Sequence, residues 1–203
     1  MITPFIQGLG TGAGLIVAIG AQNAFVLSQS IRGKYRTVIA MICIFCDVIY
    51  FTAGVSGLGM IVSTSAILRQ WITWMGAAFL VYYGWKSFCS AFQGGSLDAD
   101  CCSVASLRAA VIATLAVTVL NPHVYLDTLI ICSVSNRFHG ESRLLFWAGA
   151  VSSSIIWFFC LSFGGRALAP FFTKQLSWRI LDSLVCLTMW SIAVSLFING
   201  VSL

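Results

Sequence analysis

The amino-acid sequence predicts an all-α integral membrane protein with six transmembrane helices, arranged as two inverted repeats of three. Of its 203 residues, 59% are hydrophobic and only 8% are charged, whereas about 25% of the residues of a typical soluble domain are charged. The apolar residues form six runs, each near the roughly 20 residues that a helix needs to cross a bilayer. Six spans also divide evenly into two groups of three.

The six apolar runs, here called segments one to six, are separated by five short polar joints. They cover residues 5–28, 38–60, 70–92, 109–134, 144–168 and 179–199. A chain of this length suits one transmembrane unit over residues 1–203, with no room for a second folded domain. No basic region precedes the first apolar run, so we expect a retained span there and not a cleaved signal.

Basic residues predict how the chain is oriented in the membrane. Eight of the eleven Lys and Arg residues lie in joints one, three and five or at the flanking helix ends: Arg32, Lys34, Arg36, Lys86, Arg108, Arg166, Lys174 and Arg179. The other three, Arg69, Arg137 and Arg143, belong to joints two and four. Because cytoplasmic loops carry an excess of Lys and Arg, we expect joints one, three and five in the cytoplasm and both termini in the periplasm.

The inverted repeat has a weak signature in the sequence. An odd number of spans in the first group turns the second group upside down, as in many secondary transporters. Residues 47–51 (DVIYF) in segment two align with residues 154–158 (SIIWF) in segment five, and this alignment places Gly57 on Gly164.

Segment four carries four groups that hydrocarbon tolerates poorly: Asn121, Pro122, His123 and Asp127. Proline has no N–H and clashes with the preceding turn, whereas Asn is a good N-cap and Pro a good first helical residue. The pattern predicts a broken helix whose second half begins inside the membrane, where its positive end can receive a carboxylate. His123 and Asp127 share one helix face, so His123 either relays protons or hydrogen-bonds Asp127.

Segments one and two add three more polar candidates. Asp47 lies deep in segment two, where a carboxylate costs on the order of 2.5–3.5 kcal/mol, and segment two contains no Lys or Arg. Asp47 must therefore face a wet cavity, meet a cationic ligand, or be protonated and bonded to a neighbouring helix. Gln22 and Asn23, near the end of segment one, either form hydrogen bonds within the bundle or line a substrate site.

Segment one is also rich in glycine. Gly8 with Gly12, and Gly10 with Gly14, form small-xxx-small pairs. Such pairs allow two helix backbones to approach closely, so we expect this segment to pack tightly against another helix.

The eight cysteines favour a structural role. Most lie within or at the ends of apolar runs, where Cys behaves as a small hydrophobic residue. Cys43 and Cys46 formally fit a redox pair, and with Cys132 they are the candidates for an alternative function as a membrane thiol–disulfide carrier. No nucleophilic triad order, phosphate loop or metalloprotease motif is present, so we expect neither an enzyme nor a bound cofactor or metal.

Two motifs resemble the lysine/arginine exporter (LysE) family, and most closely its arginine exporter branch. They are residues 20–27 (GAQNAFVL) and 120–128 (LNPHVYLDT), and the resemblance extends over nearly the whole chain. One departure is Ala21, where that branch tends to have proline. We therefore expect segment one to be less sharply broken than segment four.

The resemblance implies export of basic L-amino acids, L-arginine or L-lysine, across the bacterial inner membrane, driven by the proton gradient or the membrane potential. Asp47 and Asp127 would bind the cationic groups, while Asn23, Gln22 and Asn121 would orient the substrate. The expected mechanism is alternating access. Expected partners are the substrate, protons, the lipid bilayer and, as one arrangement, a second copy of the chain, but no nucleic acid. The alternative is an exporter of the same fold for another small amino acid or cation.

Overall fold

The computed structural model describes residues 2–17, 20–33, 35–57, 66–93, 106–170 and 175–201, which form eight helices. The helices are α1 (Ile2–Ile16), α2 (Ala21–Arg32), α3 (Arg36–Ser56), α4 (Ala66–Gln93), α5 (Leu107–Val119), α6 (Pro122–Ser135), α7 (Glu141–Leu168) and α8 (Gln175–Val201).

The eight helices map onto the six predicted segments. Segments one and four are each divided in two, α1 with α2 and α5 with α6, whereas α3, α4, α7 and α8 each cover one segment. Three helices are long and apolar enough to cross a membrane alone, and up to five spans result when each bent pair counts as one. The all-helical membrane architecture is thus confirmed, while α4 is not among these five.

The helix break in segment four follows the predicted local chemistry. The Asn121 side chain accepts a hydrogen bond from the backbone N–H of His123 at 3.2 Å, and Pro122 is the first residue of α6. The axes of α5 and α6 meet at an angle of 58°. Asn121 therefore satisfies one of the N–H groups that a helix start leaves without a partner.

The break in segment one is sharper than expected. The angle between α1 and α2 is 81°, larger than in segment four, so the expectation based on Ala21 is wrong. Gly20 adopts an extended conformation (φ −128°, ψ 175°) directly before α2. A residue outside the α region interrupts the helix without the help of a proline.

Close backbone packing joins α1 to α7. A Cβ at Gly8 would collide with the backbone carbonyl of Phe146, and one at Gly12 would meet Ala150 and Ser153. At Gly10 and Gly14, no atom of the described residues lies near the corresponding position. Only the first of the two predicted glycine pairs therefore forms a helix contact.

The short helix α2 lies at the centre of the bundle. It contacts α3, α5, α7 and α8. Its buried residues occupy every side of the helix: Ala21, Phe25, Val26, Ser28, Gln29, Ser30 and Ile31. Another extensive contact joins α4 and α8, which pack along each other.

Candidate functional site

A cavity of about 230 Å³ lies where the two broken segments meet α3. Its wall consists of Leu15, Ile16, Gly20, Ala21, Gln22, Asn23, Asp47, Tyr50, Phe51, Asn121, His123, Val124, Asp127, Thr128 and Ile192. Six of the seven residues singled out in the sequence are in this wall. The seventh, Pro122, begins α6, which carries His123 and Asp127 and has Asn121 as its N-cap.

Asp47 is buried at the cavity wall, with 7% of its surface exposed. Its carboxylate accepts a hydrogen bond of 2.7 Å from the Ser154 hydroxyl on α7. Sequence reasoning did not select Ser154 as a site residue, although the repeat alignment paired these two positions. Among the described residues, no Lys or Arg lies within ion-pair distance of Asp47.

Asp127 reaches the same cavity from α6. It is partly exposed there, and it shares its helix face with His123, which also lines the cavity. Within the described part of the chain, Asp127 also lacks a Lys or Arg partner. The cavity therefore presents two carboxylates to whatever enters it, and among the described residues no Lys or Arg pairs with either of them.

Asn23 connects the break in segment one to α7. Its amide nitrogen donates to the carbonyl of Ile16, the last residue of α1, at 2.6 Å. Its amide oxygen accepts a hydrogen bond of 3.2 Å from the indole N–H of Trp157. Both alternatives considered for Asn23 thus apply, because it forms bundle hydrogen bonds and also lines the cavity.

Gln22 differs from Asn23 in its hydrogen bonding. Its amide nitrogen is buried and has no hydrogen-bond partner among the described residues. An unsatisfied buried donor costs about 1–3 kcal/mol, so a ligand that accepts a hydrogen bond at this point would be favoured.

Two tyrosines at or near the cavity, Tyr50 and Tyr125, were not predicted from the sequence. Tyr50 lines the cavity, and its ring packs edge-on against Tyr125 with the centroids 5.9 Å apart. The Tyr125 hydroxyl donates to the carbonyl of Val119, the last residue of α5, at 2.9 Å. This bond satisfies a carbonyl that the helix break leaves without an intrahelical donor. In the sequence, the available signal for Tyr125 was its position about one helical turn after the break at Pro122.

The three cysteines of the thiol–disulfide alternative do not line the cavity. Cys43, Cys46 and Cys132 are buried as free thiols, and none is in the cavity wall. In the described ranges, no group of three or more His, Cys, Asp or Glu side chains is arranged to hold a metal.

The amino-terminal ends of α2 and α6 both reach the cavity. Their N-cap residues, Gly20 and Asn121, are in its wall. Helix N-termini carry a partial positive charge and free N–H groups, so they favour anions. The cavity thus combines two anionic side chains with two helix ends that attract a carboxylate, which is the charge pattern complementary to an amino acid with a cationic side chain.

Comparisons with known proteins point to one family. Residues 13–200 match the model of the LysE type translocator family. The arginine exporter protein ArgO of Serratia proteamaculans is 38% identical over the whole of both chains. ArgO of Escherichia coli K12 is 37% identical over 100% of this chain and 97% of its own. A putative amino-acid transporter, YggA of Aeromonas salmonicida, is 38% identical over 97% of this chain and 96% of its own.

No solved structure matches the chain. The match to the family model covers most of the chain, and the relatives align over nearly their full lengths. The chain therefore belongs to the LysE type translocator family.

Proposed function

We propose that the protein exports basic L-amino acids, with L-arginine as the first candidate substrate and L-lysine as the second, across the bacterial inner membrane. Its similarity to the arginine exporters of Serratia and Escherichia supports this substrate class. Membership of a translocator family confirms the expectation of a transporter and not an enzyme.

The observation that carries the proposal is the pair of carboxylates without a basic partner, Asp47 and Asp127, in one intramembrane cavity. A charge in hydrocarbon is costly unless it is paired. The guanidinium and ammonium groups of arginine supply that pairing, and a guanidinium can bind a carboxylate through two parallel hydrogen bonds. A neutral amino acid would leave at least one of the carboxylates without a partner.

The substrate carboxylate is assigned to the helix ends. In this proposal the N–H groups at the starts of α2 and α6 bind it, and Gln22, Asn23 and Asn121 orient it by neutral hydrogen bonds. His123 lines the cavity one turn from Asp127 and serves as a hydrogen-bonding neighbour of that carboxylate or as a proton relay.

Protons are the proposed coupling ion. When the cationic substrate leaves, the site loses the charge that neutralised Asp47 and Asp127. A proton on either carboxylate restores neutrality during the return step, so that substrate and proton exchange across the membrane. The transport cycle is alternating access around the cavity, with one repeat rocking against the other.

The helix contacts support two inverted repeats, α1–α4 and α5–α8. In such a repeat, the contact of α1 with α7 is equivalent to the contact of α5 with α3. The contact of α2 with α7 is likewise equivalent to the contact of α6 with α3. All four contacts are present. The half-helices α2 and α6 begin at Ala21 and Pro122, the equivalent positions after each break. Asp47 and Ser154, equivalent in the alignment, touch each other, as residues beside a two-fold axis do.

The proposal treats residues 1–203 as one transmembrane unit with six spans, α4 being the sixth. Large apolar and aromatic side chains on α4 are exposed, as expected for a lipid-facing helix: Trp71, Trp74, Met75, Val81, Tyr82 and Trp85. Trp71 and Trp85 lie about 21 Å apart along a helix of 1.5 Å rise per residue. Trp residues are enriched at both membrane interfaces, so this pair fits an α4 that spans the bilayer.

The proposal puts both termini in the periplasm, because six spans leave joints one, three and five, which hold most of the basic residues, on the cytoplasmic side. Single cysteines introduced at Thr37 and Glu141, in a cysteine-free background, are expected to react with a membrane-impermeant maleimide from opposite sides: Thr37→Cys from the cytoplasm and Glu141→Cys from the periplasm. A cysteine added at the amino terminus should react from the periplasm. Reaction of the two termini from opposite sides would contradict the six-span arrangement and favour five spans.

The function itself is tested by counterflow in proteoliposomes that contain the purified protein. Labelled arginine should exchange with internal arginine, and labelled lysine should exchange more slowly. Agmatine lacks the carboxylate, and leucine lacks the side-chain cation. Both should exchange at least about tenfold more slowly than arginine, because each leaves one half of the site unpaired. Faster exchange of leucine than of arginine would instead identify an exporter of neutral amino acids.

The thiol–disulfide alternative is distinguished in the same assay. A variant in which all eight cysteines are replaced should still exchange arginine. Loss of exchange that depends specifically on Cys43, Cys46 or Cys132 would favour the alternative.

A further inference from the structure

A second polar cluster lies at the other end of α2, away from the cavity. Arg32 at the end of α2 forms an ion pair of 2.5 Å with Asp182 on α8. The Ser90 hydroxyl on α4 donates to the other carboxylate oxygen at 2.6 Å. The Arg32 guanidinium also lies 4.8 Å from the centre of the Trp178 ring. The guanidinium from α2 thus contacts Asp182 and Trp178 of α8, and Ser90 of α4 bonds the same carboxylate.

The cluster is buried and built around a planar cation. Asp182 and Ser90 have exposed fractions of only 1% and 2%, and Trp178 is buried as well. Proteins recognise a guanidinium in preference to an ammonium by two features. One is a carboxylate that accepts hydrogen bonds from the guanidinium N–H groups, and the other is an aromatic ring that stacks on the guanidinium plane.

Arg32 fills this site imperfectly. Ser90 occupies one oxygen of Asp182, and within the described residues Arg32 bonds the other oxygen through Nη2 alone. The Nε atom of Arg32 is buried and has no hydrogen-bond partner among the described residues. An unmet buried donor on a charged group costs free energy, so the pair is less stable than a bidentate one.

Buried polar side chains continue from this cluster along α2. Ser28, Gln29 and Ser30 are buried at consecutive positions of α2. Ser87 on α4 and Ser162 on α7 are also buried, and each lies in the carboxyl-terminal part of its helix. The Gln29 amide donates to the Tyr83 hydroxyl on α4. A polar helix enclosed on all sides is unusual inside a membrane protein unless it borders a path for water or substrate.

We propose that Asp182, Ser90 and Trp178 form a vestibule site for the substrate guanidinium at the proposed cytoplasmic end. The chain's own Arg32 occupies it when the path to the cavity is closed. An incoming arginine displaces Arg32, which frees the end of α2 from α8 and α4 and opens the path. This inference rests on the proposed export of arginine and assigns it a second, outer binding step.

Inside-out membrane vesicles test the site, because their outer face is the cytoplasmic one. Methylguanidinium should inhibit arginine uptake competitively, and methylammonium at the same concentration should inhibit it much less. Trp178→Leu removes the ring from Arg32 and from the substrate alike, so its effect is measured in the Arg32→Ala background, where no internal guanidinium competes. There it should raise KM for arginine about tenfold, leave kcat within about twofold, and weaken methylguanidinium inhibition by the same factor. The KM for lysine should change less.

Arg32→Ala is expected to act in the opposite direction. Removal of the internal competitor should lower KM for arginine about tenfold, because the site is then always vacant. If the ion pair only holds the helices together, Arg32→Ala should not lower KM for arginine. If Arg32→Ala does not accumulate in the membrane, Arg32→Lys, which keeps the charge but competes less well for a guanidinium site, replaces it in both measurements.

Trp190→Leu serves as the matched control. Trp190 is on the same helix and packs on Phe88 of α4 at 5.7 Å between ring centroids, away from the ion pair, so methylguanidinium inhibition should be unchanged. Equal KM values for arginine in Arg32→Ala with and without Trp178→Leu would overturn the vestibule site. Absence of arginine uptake by the wild type would instead overturn the proposed function.

Discussion

Replacement of Asp47 by Asn is expected to lower arginine counterflow at least about 30-fold. The substitution preserves the shape of the side chain and its contact with Ser154 but removes the charge that pairs with the cationic substrate. Loss of one partner of a buried, hydrogen-bonded charge pair costs about 2–5 kcal/mol, and each 1.4 kcal/mol is tenfold. The measurement is the initial rate of labelled arginine exchange in proteoliposomes with equal amounts of protein.

Asp127→Asn should show a loss of the same order, since both carboxylates face one cavity. Glu141→Gln is the matched control: this carboxylate is exposed in the first turn of α7, outside the cavity, and its removal should change the rate less than twofold. Normal exchange by both aspartate variants would rule out charge pairing as the basis of substrate binding.

Replacement of Gly8 by Ala is expected to destabilise the folded protein by about 2–3 kcal/mol, the usual cost of overpacking a tight contact. The added Cβ would collide with the backbone carbonyl of Phe146 on α7. A backbone atom cannot rotate away as a side chain can, so α1 must move off α7. The measurement is the midpoint of thermal unfolding in detergent, which should fall.

Gly10→Ala provides the internal comparison. It is the same substitution on the same helix, but no atom lies near the new Cβ. Alanine favours the helix over glycine by roughly 0.5–1 kcal/mol, so the midpoint should stay constant or rise. Equal destabilisation by both substitutions would show that the α1–α7 contact does not depend on Gly8.

The helix segments and the site residues could be predicted because their signals are local. Apolar runs of the length of a bilayer locate the spans. Asn121 followed by Pro122 breaks a helix through steric and capping effects within a few residues. Asp47 and Asp127 are conspicuous because charges are rare in hydrocarbon. The geometry then brought these residues to one cavity wall.

The contacts that cross the bundle had no local signal. Arg32 looked like a basic residue of a polar joint, yet it is paired with Asp182, 150 residues away. Ser154 and Trp157 reach the cavity region only because α7 packs beside α2 and α3. The sharp break before Ala21 has no proline beside it, and the extended backbone of Gly20 is one that any residue can adopt, so the local sequence does not predict this break.

The glycines of α1 illustrate the same division. Small residues four apart indicated a close helix contact, but Gly8 with Gly12 and Gly10 with Gly14 carry the same pattern on different faces of the helix. Only the position of α7 decides which face is in contact. The sequence by itself thus determined the membrane class, the helical segments, the break at Asn121-Pro122 and the acidic residues, since these follow from hydropathy and local sterics. The tertiary structure decided which groups meet, because packing partners depend on residues far apart in the chain.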